Sequence, residues 1–71
     1  MKTLTLRAGE DFIKLDSLLK FAALVGSGGE AKMAIADGLV SVNGEVCTMR
    51  GKKIHSGDTV SYMGEEIAVK A

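Results

Sequence analysis

The sequence predicts an α+β domain of two helices packed on a small antiparallel sheet of about five strands. Three observations predict it. Apolar residues alternate with polar ones near the N-terminus, recur at helical spacing through two middle segments, then alternate again toward the C-terminus. A Ser-x-x-Glu capping signature opens the second helical segment. An Asn-Gly pair divides the first of the later strand-forming segments. Helices that follow one strand and precede several others pack on one face of the sheet. The 71 residues make one domain, 1–71, since domains ordinarily take roughly 100–200 residues.

Leu4 and Leu6 alternate with Thr3, Thr5 and Arg7, a short half-buried strand. Leu15, Leu18, Leu19 and Ala22 then fall on one stripe of an amphipathic helix. Asp11 or Gly9 begins it and Gly26 ends it. In the second helix Ser27 accepts from the backbone N–H of Glu30, and Glu30 reaches back to Ser27. Ala31, Ala34 and Ile35 form its buried stripe, and Gly38 supplies the stop. Leu39 to Val42 is a strand. Asn43-Gly44 makes a type I′ turn, because that turn needs φ > 0 at both central positions, and Glu45 to Cys47 is the return strand. Residues 48–57 read as a polar, glycine-punctuated loop closing in a Ser56-Gly57-Asp58 turn. Thr59 to Met63 and Glu66 to Val69 form a second hairpin, with Gly64-Glu65 suited to a type II′ turn.

Composition excludes several function classes. Nine Lys plus Arg balance nine Asp plus Glu, so no basic tail or histone-like excess exists, though a local basic patch can. Cys47 is the sole cysteine, which leaves no disulfide framework or paired-cysteine metal site. At a strand end it reads as a small hydrophobe. No apolar run approaches the ~20 residues of a membrane span, and the N-terminus lacks a signal-peptide core, so the expected address is the cytoplasm. Catalysis finds little support. His55 is the only histidine and reads as an exposed loop residue; Glu65-Glu66 sits at a hairpin tip as solvated charge. We expect no enzyme activity, no cofactor, no metal, no small-molecule substrate and no membrane partner.

Charge placement carries more than net charge. From Val46 to Gly57 there are three cations, Arg50, Lys52 and Lys53, and no anion. At 100° per residue, Lys14 and Lys32 each flank the apolar stripe of their helix, where a packed stem can leave the ammonium exposed. Lys20 points nearly opposite its stripe and reads as ordinary surface. The amino end of the second helix offers free N–H groups to an anion, although Ser27 and Glu30 satisfy donors there and Glu30 repels phosphate.

At this point the residues resemble a family. Ile13-Lys14-Leu15-Asp16-Ser17-Leu18-Leu19 is similar to its opening helix. The run Ser27-Gly28-Gly29-Glu30-Ala31-Lys32, Ile35, Gly38-Leu39-Val40-Ser41-Val42-Asn43-Gly44 and Gly57-Asp58-Thr59-Val60 is similar to the rest. The family is the S-four RNA-binding domain, with the alpha-L motif, named after ribosomal small-subunit protein four. The resemblance covers residues 13 to about 62, and the variant looks most like short stand-alone bacterial members of the YaaA/YbcJ type. It implies an RNA-binding surface on the two helices and the turn after the Val-Asn-Gly hairpin, carrying Lys14, Ser27, Lys32, Arg50, Lys52 and Lys53. Many members have Arg where this chain has Lys14, Gly28 and Lys32.

The aromatic residues are few. Phe12 and Phe21 read as packing, leaving no platform for stacking bases as single-strand readers use. Lys and Arg without aromatics suit the phosphates of folded RNA, recognised by shape. The expected function is therefore non-enzymatic binding of structured RNA, ribosomal or pre-ribosomal, with a ribosomal or other protein as a possible further partner. The rival is a protein-interaction module on a ribonucleoprotein particle. Electrostatic continuity of Lys14, Lys32 and the 50–53 loop favours RNA; an exposed apolar patch around Phe21, Leu24 and Met33 favours protein.

Overall fold

The computed structural model describes residues 2–71. Its elements run β1 (Lys2–Thr5), β2 (Phe12–Lys14), α1 (Leu15–Phe21), α2 (Gly28–Ala36), β3 (Val40–Val42), β4 (Glu45–Val46), β5 (Lys53–His55), β6 (Thr59–Tyr62) and β7 (Glu65–Lys70). Five strands form one sheet in the order β1-β7-β6-β3-β4, and β2 pairs with β5 in a separate two-stranded ribbon. The two helices and five-stranded sheet are those the sequence predicts. The sheet is mixed, however: β1 runs parallel to β7, while the other neighbours are antiparallel. Hairpin turns dictate antiparallel pairing only for strands adjacent in sequence, and β1 and β7 are at opposite ends of the chain.

The first hairpin turns at Asn43-Gly44, with φ +51° and +85° and Val42 opposite Glu45, as the type I′ reading requires. In the second, Tyr62 pairs with Glu65, so the turn is Met63-Gly64, with φ +51° and +81°. It lies one residue earlier than expected and is again of the I′ kind. The register explains this. Val60 opposite Ile67 puts both side chains in the core, and a one-residue slip would turn one of those strands inside out.

Helix α1 begins at Leu15 rather than at Asp11 or Gly9, because β2 takes the three residues before it. It ends before Gly26. The Ala23 N–H donates to the Lys20 carbonyl and the Leu24 N–H to the Leu19 carbonyl, both at 3.0 Å, with Ala23 at φ +59°. That is a Schellman ending, with alanine in the left-handed position glycine usually fills. Helix α2 ends the same way around Gly38, at φ +76°, as expected. At its start Ser27 Oγ accepts from the Glu30 N–H at 3.2 Å, the predicted cap. The Glu30 carboxylate accepts from the N–H of Gly26, not Ser27, so the box closes one residue further out.

The core joins Leu15, Leu18 and Leu19 of α1 and Ala31, Ala34 and Ile35 of α2 to Val40, Val60, Ile67 and Val69 on one sheet face. Ile54 of the ribbon is fully buried among them, which ties the ribbon to the body. Cys47 packs half-buried against this cluster, consistent with a small hydrophobe.

Candidate nucleic-acid interface

The segment read as a polar loop, residues 48–57, contains a strand. Residues 53–55 form β5, antiparallel to β2, in the register Phe12–His55, Ile13–Ile54 and Lys14–Lys53. Side chains alternate across a strand. Ile54 takes the inward position, so the four residues on the other face of the ribbon are Phe12, Lys14, Lys53 and His55. Two cations therefore stand directly opposite each other, an arrangement that destabilises a ribbon unless something anionic sits over it.

The rest of the cationic loop is fastened to the start of α1. The Leu15 N–H donates to the Lys52 carbonyl at 2.9 Å and the Asp16 N–H to the Arg50 carbonyl at 3.2 Å. Helix N–H groups need acceptors. Lys14, at the N-cap, supplies none from its side chain, so the loop backbone caps α1. The consequence is geometric: Lys14, Arg50, Lys52 and Lys53, separated by up to 39 residues in the sequence, share one exposed locality.

Ser27 and Lys32 are exposed on α2, which packs against α1. Among the described residues, no hydrogen bond or strand register joins either to the ribbon, and the Ser27 hydroxyl is engaged as the helix cap.

Two aromatic placements differ from expectation. Phe12 does not simply fill the core; its ring stands 6.0 Å from that of His55, tilted by 52°, with Lys53 Nζ 5.0 Å from its centroid. Phe21, read as packing, is 66% exposed, as is Met33 on the neighbouring helix, while Leu24 is half-buried against the core. His55 is exposed as expected but belongs to a strand. The missed signal was alternation: Lys53-Ile54-His55 is polar-apolar-polar, a three-residue pattern that adjacent glycines obscured.

Asp58 anchors the ribbon's far end. Its carboxylate accepts from the Asn43 side-chain amide at 3.0 Å and from the His55 backbone N–H at 2.8 Å. Asn43 in turn accepts from the Thr59 N–H at 2.9 Å. The Asn43 hydrogen bond first, then that from His55, holds the Asp58 carboxyl below its usual range. The Asn-Gly hairpin and the Gly-Asp turn, 15 residues apart, are thus one structure beside the cations.

Comparison with known proteins gives consistent results. The S4 domain family matches residues 6–70. The chain is 44% identical over 59 residues to "Putative RNA-binding protein YbcJ" of Escherichia coli (strain K12), covering 83% of this chain and 84% of that one. It is 39% identical over 54 residues to "Probable ribosome maturation protein RlbA" of Bacillus subtilis (strain 168), covering 76% of each. Among solved structures, the solution structure of E. coli YbcJ, described as revealing an alfaL motif involved in RNA-binding, superposes with a TM-score of 0.76 at 41% identity, over 100% of this chain and 89% of that one. The 30S ribosomal protein S4e of Thermoplasma acidophilum shares the fold, with a TM-score of 0.67 at 24% identity over 80% of this chain and 30% of that one.

Proposed function

Because this chain belongs to the S4 domain family, we propose that it binds structured RNA, ribosomal or pre-ribosomal, by contacting phosphates through a Lys/Arg patch and without catalysing a reaction. The observation that carries this reading is the register of Lys14 opposite Lys53, with Arg50 and Lys52 fastened alongside by backbone bonds to α1. Like charges facing each other on a ribbon are unfavourable in the free protein. A phosphate between them removes the repulsion. Ser27 and Lys32 belong to the outer part of the patch, and Ser27 contributes chiefly as a cap. The relatives' names, one RNA-binding and one concerned with ribosome maturation, support the choice of RNA and its ribosomal class.

The second reading, a protein-interaction module on a ribonucleoprotein particle, is favoured by the exposure of Phe21 and Met33 on neighbouring helices. The two readings separate in one experiment. Phosphate contacts release counterions, so log affinity falls linearly with log salt, by about 0.7–0.9 per phosphate. Engagement of three to five phosphates gives a slope of roughly −2 to −4.5. Replacing Arg50, Lys52 and Lys53 together by Gln flattens it by about 2–3 and weakens binding to all RNAs alike, because phosphate contacts position without specifying. Lys2 on β1 and Lys70 on β7, outside the ribbon and its loop, serve as the control pair. Equal loss per charge from the control pair would reduce binding to diffuse electrostatics and remove the site.

A further inference from the structure

The ribbon's outer face is not only cationic: one end carries Lys14 and Lys53, the other carries two rings, Phe12 and His55. Phe12 is half-buried and the His55 side chain is 57% exposed, so the rings rise from the core surface without being absorbed into it. Open depressions meet the face on both sides: one touches Phe12 and Lys14, the other Lys53 and His55. A nucleotide has the same two-part chemistry, an anionic phosphate joined to a flat base. We propose that this face holds one unpaired nucleotide of the bound RNA, its phosphate between Lys14 and Lys53 and its base against Phe12 and His55.

This inference rests on the phosphate-binding reading and deepens it, since stacking on an aromatic ring tolerates any base while demanding that the base be out of its helix. The target is then structured RNA with an accessible loop or bulge nucleotide, not uninterrupted duplex. Lys53 has a part in both halves. In the free protein its ammonium lies over the Phe12 ring, a cation–π contact that keeps the ring covered. Its exposed, flexible chain swings toward the phosphate when a base replaces it over the ring. The Asp58 carboxylate lies 4.0 Å from His55 Nδ1 and bonds the His55 backbone N–H, so it holds that end of β5 in place while its own oxygens face Asn43 and His55.

The test uses two probes: an RNA hairpin whose loop holds unpaired adenines, one replaced by 2-aminopurine, and a blunt duplex of the same stem. Stacking on the rings quenches the 2-aminopurine fluorescence. Phe12→Leu and His55→Ala each weaken hairpin binding by about five- to tenfold, the lower range for loss of one base–ring contact. Both reduce the quenching. Neither changes duplex binding or the salt slope, since no phosphate contact is lost. His55 is exposed, so its replacement keeps the fold, and a melting curve establishes the same for Phe12→Leu. Equal losses on hairpin and duplex, or wild-type binding to both with no quenching, overturn the base contact and leave the phosphate site standing. Failure of the wild-type protein to bind either RNA overturns both.

Discussion

Ala23 and Gly38 occupy the same place in the same motif, yet only one of them announces it. Both close a helix with the paired Schellman hydrogen bonds, and both have positive φ, +59° at Ala23 and +76° at Gly38. Glycine takes that conformation freely, whereas a Cβ there costs about 1–2 kcal/mol. Gly38 was therefore legible as a stop in the sequence, and Ala23 was not; the next glycine, Gly26, drew the expected boundary too far. The physical asymmetry predicts that Ala23→Gly stabilises the protein by about 1 kcal/mol, read as a higher denaturant midpoint at unchanged slope. No stabilisation would mean that Ala23 does not hold the left-handed conformation in solution. Ser27 gives the opposite sign. Its hydroxyl satisfies the Glu30 N–H, so Ser27→Ala costs roughly 0.5–2 kcal/mol. RNA affinity falls much less, because the cap is structural. A collapse of binding with stability untouched would instead make Ser27 an RNA contact.

Hairpins, whose partners are close in sequence, were legible; the ribbon, whose partners are distant, was not, and β1 was legible as a strand but not in its parallel pairing with β7. The Asn43-Gly44 hairpin needed only local turn chemistry. The ribbon needed Lys53–His55 to find Phe12–Lys14 across the two helices, and two three-residue strands carry too little pattern to declare themselves. The cations were singled out by charge and helical angle, yet Lys14 lies in β2, before α1 begins, so the helical angle assigned to it does not apply. What brings them together, and what adds the aromatic pair, was not legible. The ribbon predicts a conflict between stability and function. Lys14→Glu replaces a facing pair of like charges with opposite ones, a change worth about 0.2–1 kcal/mol per pair. The variant should melt higher and bind RNA more weakly; a lower melting point with weaker binding would remove the idea of a pair kept for its ligand. Asp58 makes the hairpin–turn junction acid-sensitive. Its folded-state pKa is lowered, so the native protein binds fewer protons than the unfolded chain. Its contribution is fully present above the unfolded value of about 3.9 and is lost as pH falls through the lower folded value. Asp58→Asn keeps one acceptor and loses the charge, costing about 1–2 kcal/mol at pH 7. The gap between variant and wild type should close as pH falls through the lowered folded-state value; a constant gap would show that the carboxylate's charge contributes nothing.

At the scale of the whole molecule, net neutrality conceals polarity. Four of the nine cations gather at the ribbon and its loop, with Asp16 and Asp58 beside them, leaving five cations among the other seven anions. A polyanion is thus attracted by one face and repelled by most of the rest, which orients the protein on RNA before any contact forms. The range of that orientation depends on salt. Glu65 and Glu66 begin β7, while the turn that follows the ribbon bonds to Val69, at the other end of the same strand. The four residue steps from Glu65 to Val69 span about 13 Å of extended chain. That separation exceeds the Debye length of about 8 Å at physiological ionic strength and falls well inside the ~30 Å at 0.01 M. The molecule measures 31 Å along its longest axis, so at low salt every charge on it is felt at the ribbon. Replacing Glu65 and Glu66 together by Lys should accordingly leave RNA affinity unchanged near 0.15 M and raise it at 0.01 M. The added binding at low salt should be indifferent to Phe12→Leu, because steering by the far hairpin involves no base. Raised affinity at both salt concentrations would mean that the β6–β7 hairpin touches RNA directly, and the interface would then have to extend along the sheet well beyond the ribbon.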